Sequence, residues 1–134
     1  MRSLAREVVF KYMFSQLFNH DDEGLFTVLA KNEKLNESDF VFANELLGYV
    51  LSNYDNYLSV LDELAVGYRL NRVFNVDKCA IVLGMAELDN CKETPLAVII
   101  DEAVKLAGKF STEKSTDFVN GVLSKYAIKQ GRAN

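Results

Sequence analysis

The stretch from Thr94 to Leu123 most constrains what this chain can fold into, because it carries two successive helical periodicities separated by a short polar break. Leu96, Ile99, Ile100, Ala103, Val104 and Ala107 recur at the spacing of one helix face, while Asp101, Glu102, Lys105 and Lys109 fall on the other side. Thr94 is placed to cap that helix and Pro95 to occupy its first position, where a missing N–H forfeits no intrahelical bond. After Phe110, Ser111 offers a second cap, and Phe118, Val119, Val122, Leu123 and Tyr126 resume the same period. Two amphipathic helices joined by a short turn are stable only against further apolar surface, which the rest of the chain must supply.

The preceding residues supply it in helical form. From Ser3 to Phe18, the residues Leu4, Val8, Val9, Phe10, Tyr12, Met13, Phe14, Leu17 and Phe18 cover more than one stripe, which predicts a first helix contacted on several sides. A short helix over about Asp22 to Ala30 follows, then a third beginning at Glu37-Ser38-Asp39 and a fourth from about Asn53 or Asp55 to Val66, with Gly67 as its stop. The fifth runs from about Val76 to Asn90, and its almost wholly apolar segment Cys79 to Met85 predicts burial along most of its length. Gly48 allows a close approach in the third helix, and Gly121 lies inside the last one, where glycine costs about 1 kcal/mol relative to alanine, which predicts close approach by a helix or a ligand. One proline and seven glycines in 134 residues leave little punctuation, and no period-two alternation appears.

The fold class is therefore all-α: a compact bundle of about seven helices in a single domain, 1–134. The helices divide near residue 70 into two small subbundles, about 3–67 and about 76–130, and Lys129 to Asn134 reads as a frayed basic tail. A hydrophobic fraction of 49% is enough to build a core at this length.

Cys79 and Cys91 match no metal or redox spacing and read as small buried hydrophobes. No run of about twenty apolar residues offers a membrane span. The start, Met-Arg-Ser-Leu-Ala-Arg-Glu, lacks the architecture of a signal peptide, which makes a cytoplasmic location the expectation. His20, the one histidine, sits beside Asp21 and Asp22 in a polar break and reads as a solvated turn. Glu87 and Glu102 lie near apolar helices, where an interhelix hydrogen bond accounts for them better than a catalytic carboxylate pair. No nucleophile with its base, no metal-ligand spacing and no phosphate-cradling glycine loop is present, so the expectation is no enzyme, no metal and no cofactor.

A net charge of −4 argues against a general nucleic-acid coat and leaves room for a local basic patch. Arg2, Arg6 and Lys11 form the N-terminal cluster of cations, on a helix whose ladder continues through Phe10 and Phe14. Cations beside aromatic rings are how single-stranded RNA is commonly held, and Phe14 and Phe118 are the candidate rings, although their helical positions suit the core better.

The blocks Val76-Asp77-Lys78, Met85-Ala86-Glu87-Leu88, Thr94 through Ala107, and Phe118-Val119-Asn120-Gly121-Val122-Leu123, with Ala5-Arg6-Glu7 near the start, resemble the NusB family of bacterial transcription antitermination factors over nearly the whole chain. The resemblance implies an all-helical protein without catalysis that pairs with the ribosomal protein NusE. It further implies binding of boxA-type single-stranded RNA, entry into an antitermination complex on RNA polymerase and support of ribosomal RNA transcription. Carried over by position, it makes Arg2, Arg6, Phe14 and Phe118 RNA-contacting residues and Asp77 a contact to NusE. Ser3 and Leu4 stand where the family carries a denser arginine run, and Asp117 stands where a cation is usual. Fewer phosphate contacts mean weaker and less salt-dependent binding. Those departures and the acidic charge motivate the alternative, a homodimeric protein-interaction module of the same fold with weakened or lost RNA binding.

Overall fold

A computed structural model describes residues 2–17, 24–65 and 73–132, and among them it has seven helices and no strand. They are α1 (Arg2–Gln16), α2 (Leu25–Asn32), α3 (Glu37–Ser52), α4 (Tyr54–Leu64), α5 (Asn75–Asn90), α6 (Leu96–Phe110) and α7 (Glu113–Lys129). The all-α expectation holds. The expected starts and stops at Asp22 and Gly67, and the turn carrying His20, lie outside the described residues.

Helix α5 is the axis of the molecule. Every residue from Cys79 to Leu88 is buried, because α1, α3, α4, α6 and α7 all pack on it. Burial pushes the Cys79 thiol up to about 12 and that of Cys91 to about 11, consistent with inert packing groups. The α5–α7 contact depends on Gly84: a Cβ built there would lie 2.7 Å from Leu123 Cδ1. No other helix approaches Gly48 or Gly121: a Cβ built at either would meet no atom of another helix within 4 Å. A helical glycine is as compatible with an exposed face as with a tight crossing, and periodicity alone does not distinguish the two. Asn120, beside Gly121, is likewise exposed.

Several ends differ by a residue or more from expectation, for identifiable reasons. Pro95 is the cap of α6 and not its first helical residue. Its ψ of 139° is extended, and its carbonyl accepts from the N–H groups of Val98 (3.0 Å) and Ile99 (3.2 Å). At α7 the cap is Thr112, whose hydroxyl accepts from the Ser115 N–H at 3.3 Å, while Ser111 bonds the Ser115 hydroxyl at 2.9 Å. The start expected at Glu37-Ser38-Asp39 is secured one residue earlier, by Asn36 accepting from Asp39 N–H at 2.8 Å.

The C-terminal segment is not frayed through Arg132. Gly131, at φ +67°, turns the chain out of α7, and Arg132 N–H returns to Ala127 O at 2.8 Å. The Arg132 guanidinium then donates to the carbonyls of Leu88 (2.6 Å), Cys91 (3.3 Å), Lys92 (3.4 Å) and Thr94. It thereby satisfies the Leu88 carbonyl in the last turn of α5, and ties that end to the α5–α6 turn.

Candidate nucleic-acid and partner interface

Helix α1 holds most of the residues singled out for RNA, and its registry against α5 and α6 decides which of them reach solvent. Its small inward residues Ala5, Val8 and Val9 let it pack tightly, and this draws Arg6 inside. Arg6 is 5% exposed and forms a two-pronged pair with Glu87, itself 1% exposed: Nε donates to Oε1 at 2.7 Å and Nη2 to Oε2 at 2.5 Å. Burial works against the Arg6 charge, but the Glu87 hydrogen bonds and charge outweigh it and hold the guanidinium above its ordinary value. The expectation that Arg6 reaches a phosphate does not fit this placement. The physical reason is the buried carboxylate of Glu87, which without Arg6 would be an unpaired charge in the core. Glu102 also finds an interhelix bond, accepting from the Ser3 hydroxyl at 2.9 Å.

Arg2, one turn earlier, is exposed, and its guanidinium carbon lies 4.1 Å from the centre of the Phe42 ring. Arg6 approaches the same ring at 5.4 Å. Phe42 of α3 therefore seats Arg2 at the surface by a cation–π contact.

Further along α1, Glu7 is nearly buried and takes two ammonium groups, Lys11 Nζ at 3.0 Å and Lys109 Nζ at 2.8 Å. Burial alone would raise the Glu7 carboxyl, but the hydrogen bonds and charges of Lys109 and Lys11 prevail and hold it below its usual value. Lys11 reaches Glu33 as well, at 3.1 Å. One turn on, the buried Phe10 ring stacks on Phe110 (centroids 5.2 Å apart) and on Phe14 (6.5 Å). Phe14 is half-buried and packs on the core, while Phe110, the last residue of α6, is 37% exposed.

Phe118 is half-buried on the other side of the α6–α7 turn. With Phe74, Lys114, Ser115 and Asp77 it lines a groove of about 700 Å³ where α5 and α7 begin. Asp77 is 4% exposed. The Ser115 hydroxyl donates to its Oδ2 at 3.0 Å, and its Oδ1 has no hydrogen-bond partner. Burial raises the Asp77 carboxyl, against the lowering effect of Ser115 and Ser111.

The structure thus distributes the sequence-singled residues instead of gathering them. Arg2 and Phe14 stand at opposite ends of α1, about 18 Å apart along its axis. Phe118 shares a groove with Asp77, and Arg6 lies inside. Sequence reading passed over Phe42, Lys109 and Phe110, although an aromatic next to a cation at the end of an amphipathic helix was visible. Among the described residues, no group of three His, Cys, Asp or Glu could hold a metal, and no helix is long and apolar enough to cross a membrane.

Comparison with known proteins places this geometry. The pattern of the NusB family matches residues 1–127. The transcription antitermination protein NusB of Alkaliphilus oremlandii (strain OhILAs) is 30% identical over 135 residues, covering 97% of this chain and 95% of the relative. That of Pseudothermotoga lettingae is 35% identical over 129 residues, covering 94% and 90%. Among solved structures, T. maritima NusB superposes with a TM-score of 0.88 at 28% identity, covering 96% of this chain and 92% of that one. A crystal structure of antitermination factors NusB and NusE in complex with dsRNA contains a chain that superposes at 0.85 with 25% identity, covering 96% of both. Family pattern, near-full-length relatives and superposed structures agree that this chain belongs to the NusB family of transcription antitermination proteins.

Proposed function

We propose that this chain is a transcription antitermination factor that binds boxA-type RNA together with NusE and enters an antitermination complex on RNA polymerase. The observation that carries the reading is family membership through residues 1–127, on a scaffold similar to one solved with NusE and RNA. Binding is the activity; no catalytic step is assigned to any residue.

Within that reading the residues take different parts. Arg2, held over Phe42, is a phosphate contact, and the rings of Phe14 and Phe118 are the surfaces on which bases pack. Arg6 acts at one remove: its pair with Glu87 sets the rotation of α1 and so the direction of Arg2 and Phe14. Asp77 is assigned the NusE contact by its position in the family pattern, beside the groove where α5 and α7 begin, with its carboxylate held by the Ser115 hydroxyl.

Gel-shift titration of boxA-type RNA, with and without NusE, tests this. Binding that strengthens with NusE is expected, and no binding in either condition refutes it. Arg2→Ala is expected to weaken RNA binding at unchanged thermal stability, and Asp77→Asn, which keeps the side-chain volume at this buried position, to weaken NusE capture while leaving RNA binding by the isolated protein unchanged.

A further inference from the structure

We infer that Lys109 and Phe110, the last two residues of α6, form an additional RNA contact on the seam between α1 and α6. The inference rests on the proposed RNA-binding function and adds to it a phosphate contact and a base-packing ring outside the residue blocks that carry the family resemblance.

The first argument is position. Lys109 meets α1 at Glu7 and Phe110 meets it at Phe10, both between Arg2 and Phe14. A strand that touches Arg2 at one end of α1 and Phe14 at the other passes over this seam. Phe110 is joined to Phe14 through the buried ring of Phe10, so the three aromatics form one continuous stack. An exposed ring that continues such a stack at a helix end offers a rigid apolar surface for a base.

The second argument is charge. Lys109 Nζ lies 5.3 Å from the Phe110 ring centre, and its side chain is 59% exposed. An ammonium carries three donors, of which the contact to Glu7 uses one. Lys109 can therefore take a phosphate oxygen without giving up Glu7, whose nearly buried carboxylate aims it. Lys11, held by both Glu7 and Glu33, braces Glu7, and its Nζ lies 6.0 Å from the centre of the same Phe110 ring. The arrangement places a cation beside a ring, the pairing by which single strands are held with little sequence preference. It also supplies a charge in a chain whose N-terminal arginine run is interrupted by Ser3 and Leu4.

The test is titration of a labelled boxA-type single-stranded RNA, with NusE present and absent, over a salt series. The proteins are the full chain, Lys109→Gln, Phe110→Leu, Arg2→Ala and, as a neighbouring exposed cation on α6, Lys105→Gln. Thermal unfolding of each is recorded alongside. Lys109→Gln is expected to reduce the slope of log K against log salt by about 0.7, the value of one phosphate contact on a single strand. Phe110→Leu keeps apolar volume but removes the ring; it is expected to bind about tenfold more weakly with the slope unchanged. Lys105→Gln is expected to behave as the unsubstituted chain. If Lys109→Gln and Phe110→Leu bind normally while Arg2→Ala is weakened, the seam is refuted and the RNA-binding reading stands. If Lys105→Gln loses as much as Lys109→Gln, the effect is one of general charge and the assigned contact is refuted. If the unsubstituted chain binds no RNA in either condition, the functional reading fails and this inference falls with it.

Discussion

Removing the Arg6 guanidinium is the most informative single perturbation, because it tests whether the arginine serves the core or the surface. In Arg6→Ala, Glu87 remains 1% exposed, between α1 and α5, with both oxygens stripped of their partner. Breaking a buried ion pair from one side costs about 3–5 kcal/mol, most of it the desolvation of the orphaned charge. At 134 residues each kcal/mol moves the unfolding midpoint by about 3–5 °C, so the midpoint should fall by about 9–25 °C. Arg6→Lys should recover only part of the loss, because one ammonium cannot reproduce the two-pronged geometry. The double replacement Arg6→Met with Glu87→Leu removes both charges and keeps the volume, and should return to within about 2 kcal/mol of the original. Urea denaturation with linear extrapolation, checked by scanning calorimetry, measures all four proteins. A loss below about 1 kcal/mol in Arg6→Ala, or a double variant no better than the single, would refute the assignment of Arg6 to the core.

Three further outcomes follow from the same packing. Gly84→Ala forces a methyl against the buried Leu123 side chain and should cost about 1–3 kcal/mol, whereas Gly121→Ala, in open space, should stabilise by about 0.5–1 kcal/mol; paired thermal melts check both. Arg132→Ala releases the Leu88 carbonyl of α5 and the Thr94 carbonyl of the α5–α6 turn and should cost about 1.5–3 kcal/mol, read by denaturation and by faster amide exchange in that turn. Glu7, lowered in the folded state from its ordinary 4.5, contributes stability that is fully present above that value and is lost as pH falls through the folded value. Glu7→Gln should therefore flatten the acid limb below about pH 4.5 in a pH series of unfolding midpoints.

The residues proposed for binding were only partly legible as such. Arg2 and Arg6 are four apart and look equivalent on a helix wheel, yet one is exposed and the other buried. The distinction comes from Glu87, 81 residues away, which claims Arg6 and leaves Arg2 to Phe42. Phe14 and Phe118, at apolar helix positions, read from the sequence as core more than surface, and the structure leaves both half-buried. Asp77 lies in the first turn of α5, and its burial under Ser115 depends on where α7 starts. The contact between Lys109 and Glu7 likewise joins positions 102 apart.

What the sequence by itself determined is the set of helices and their apolar faces, because the 3.6-residue period and the capping preferences act within a few residues of chain. The wholly apolar run in α5 also announced a helix surrounded on all sides, as burial then found it. Tertiary structure alone decided which glycine sits in a crossing, which cation pairs inward and which rings remain in reach of solvent. Gly84, not Gly121, meets Leu123, and Arg132 closes a helix end that no local pattern connects to it. Those outcomes depend on the relative rotation and translation of packed helices, set jointly by every buried side chain, and no local periodicity encodes that choice.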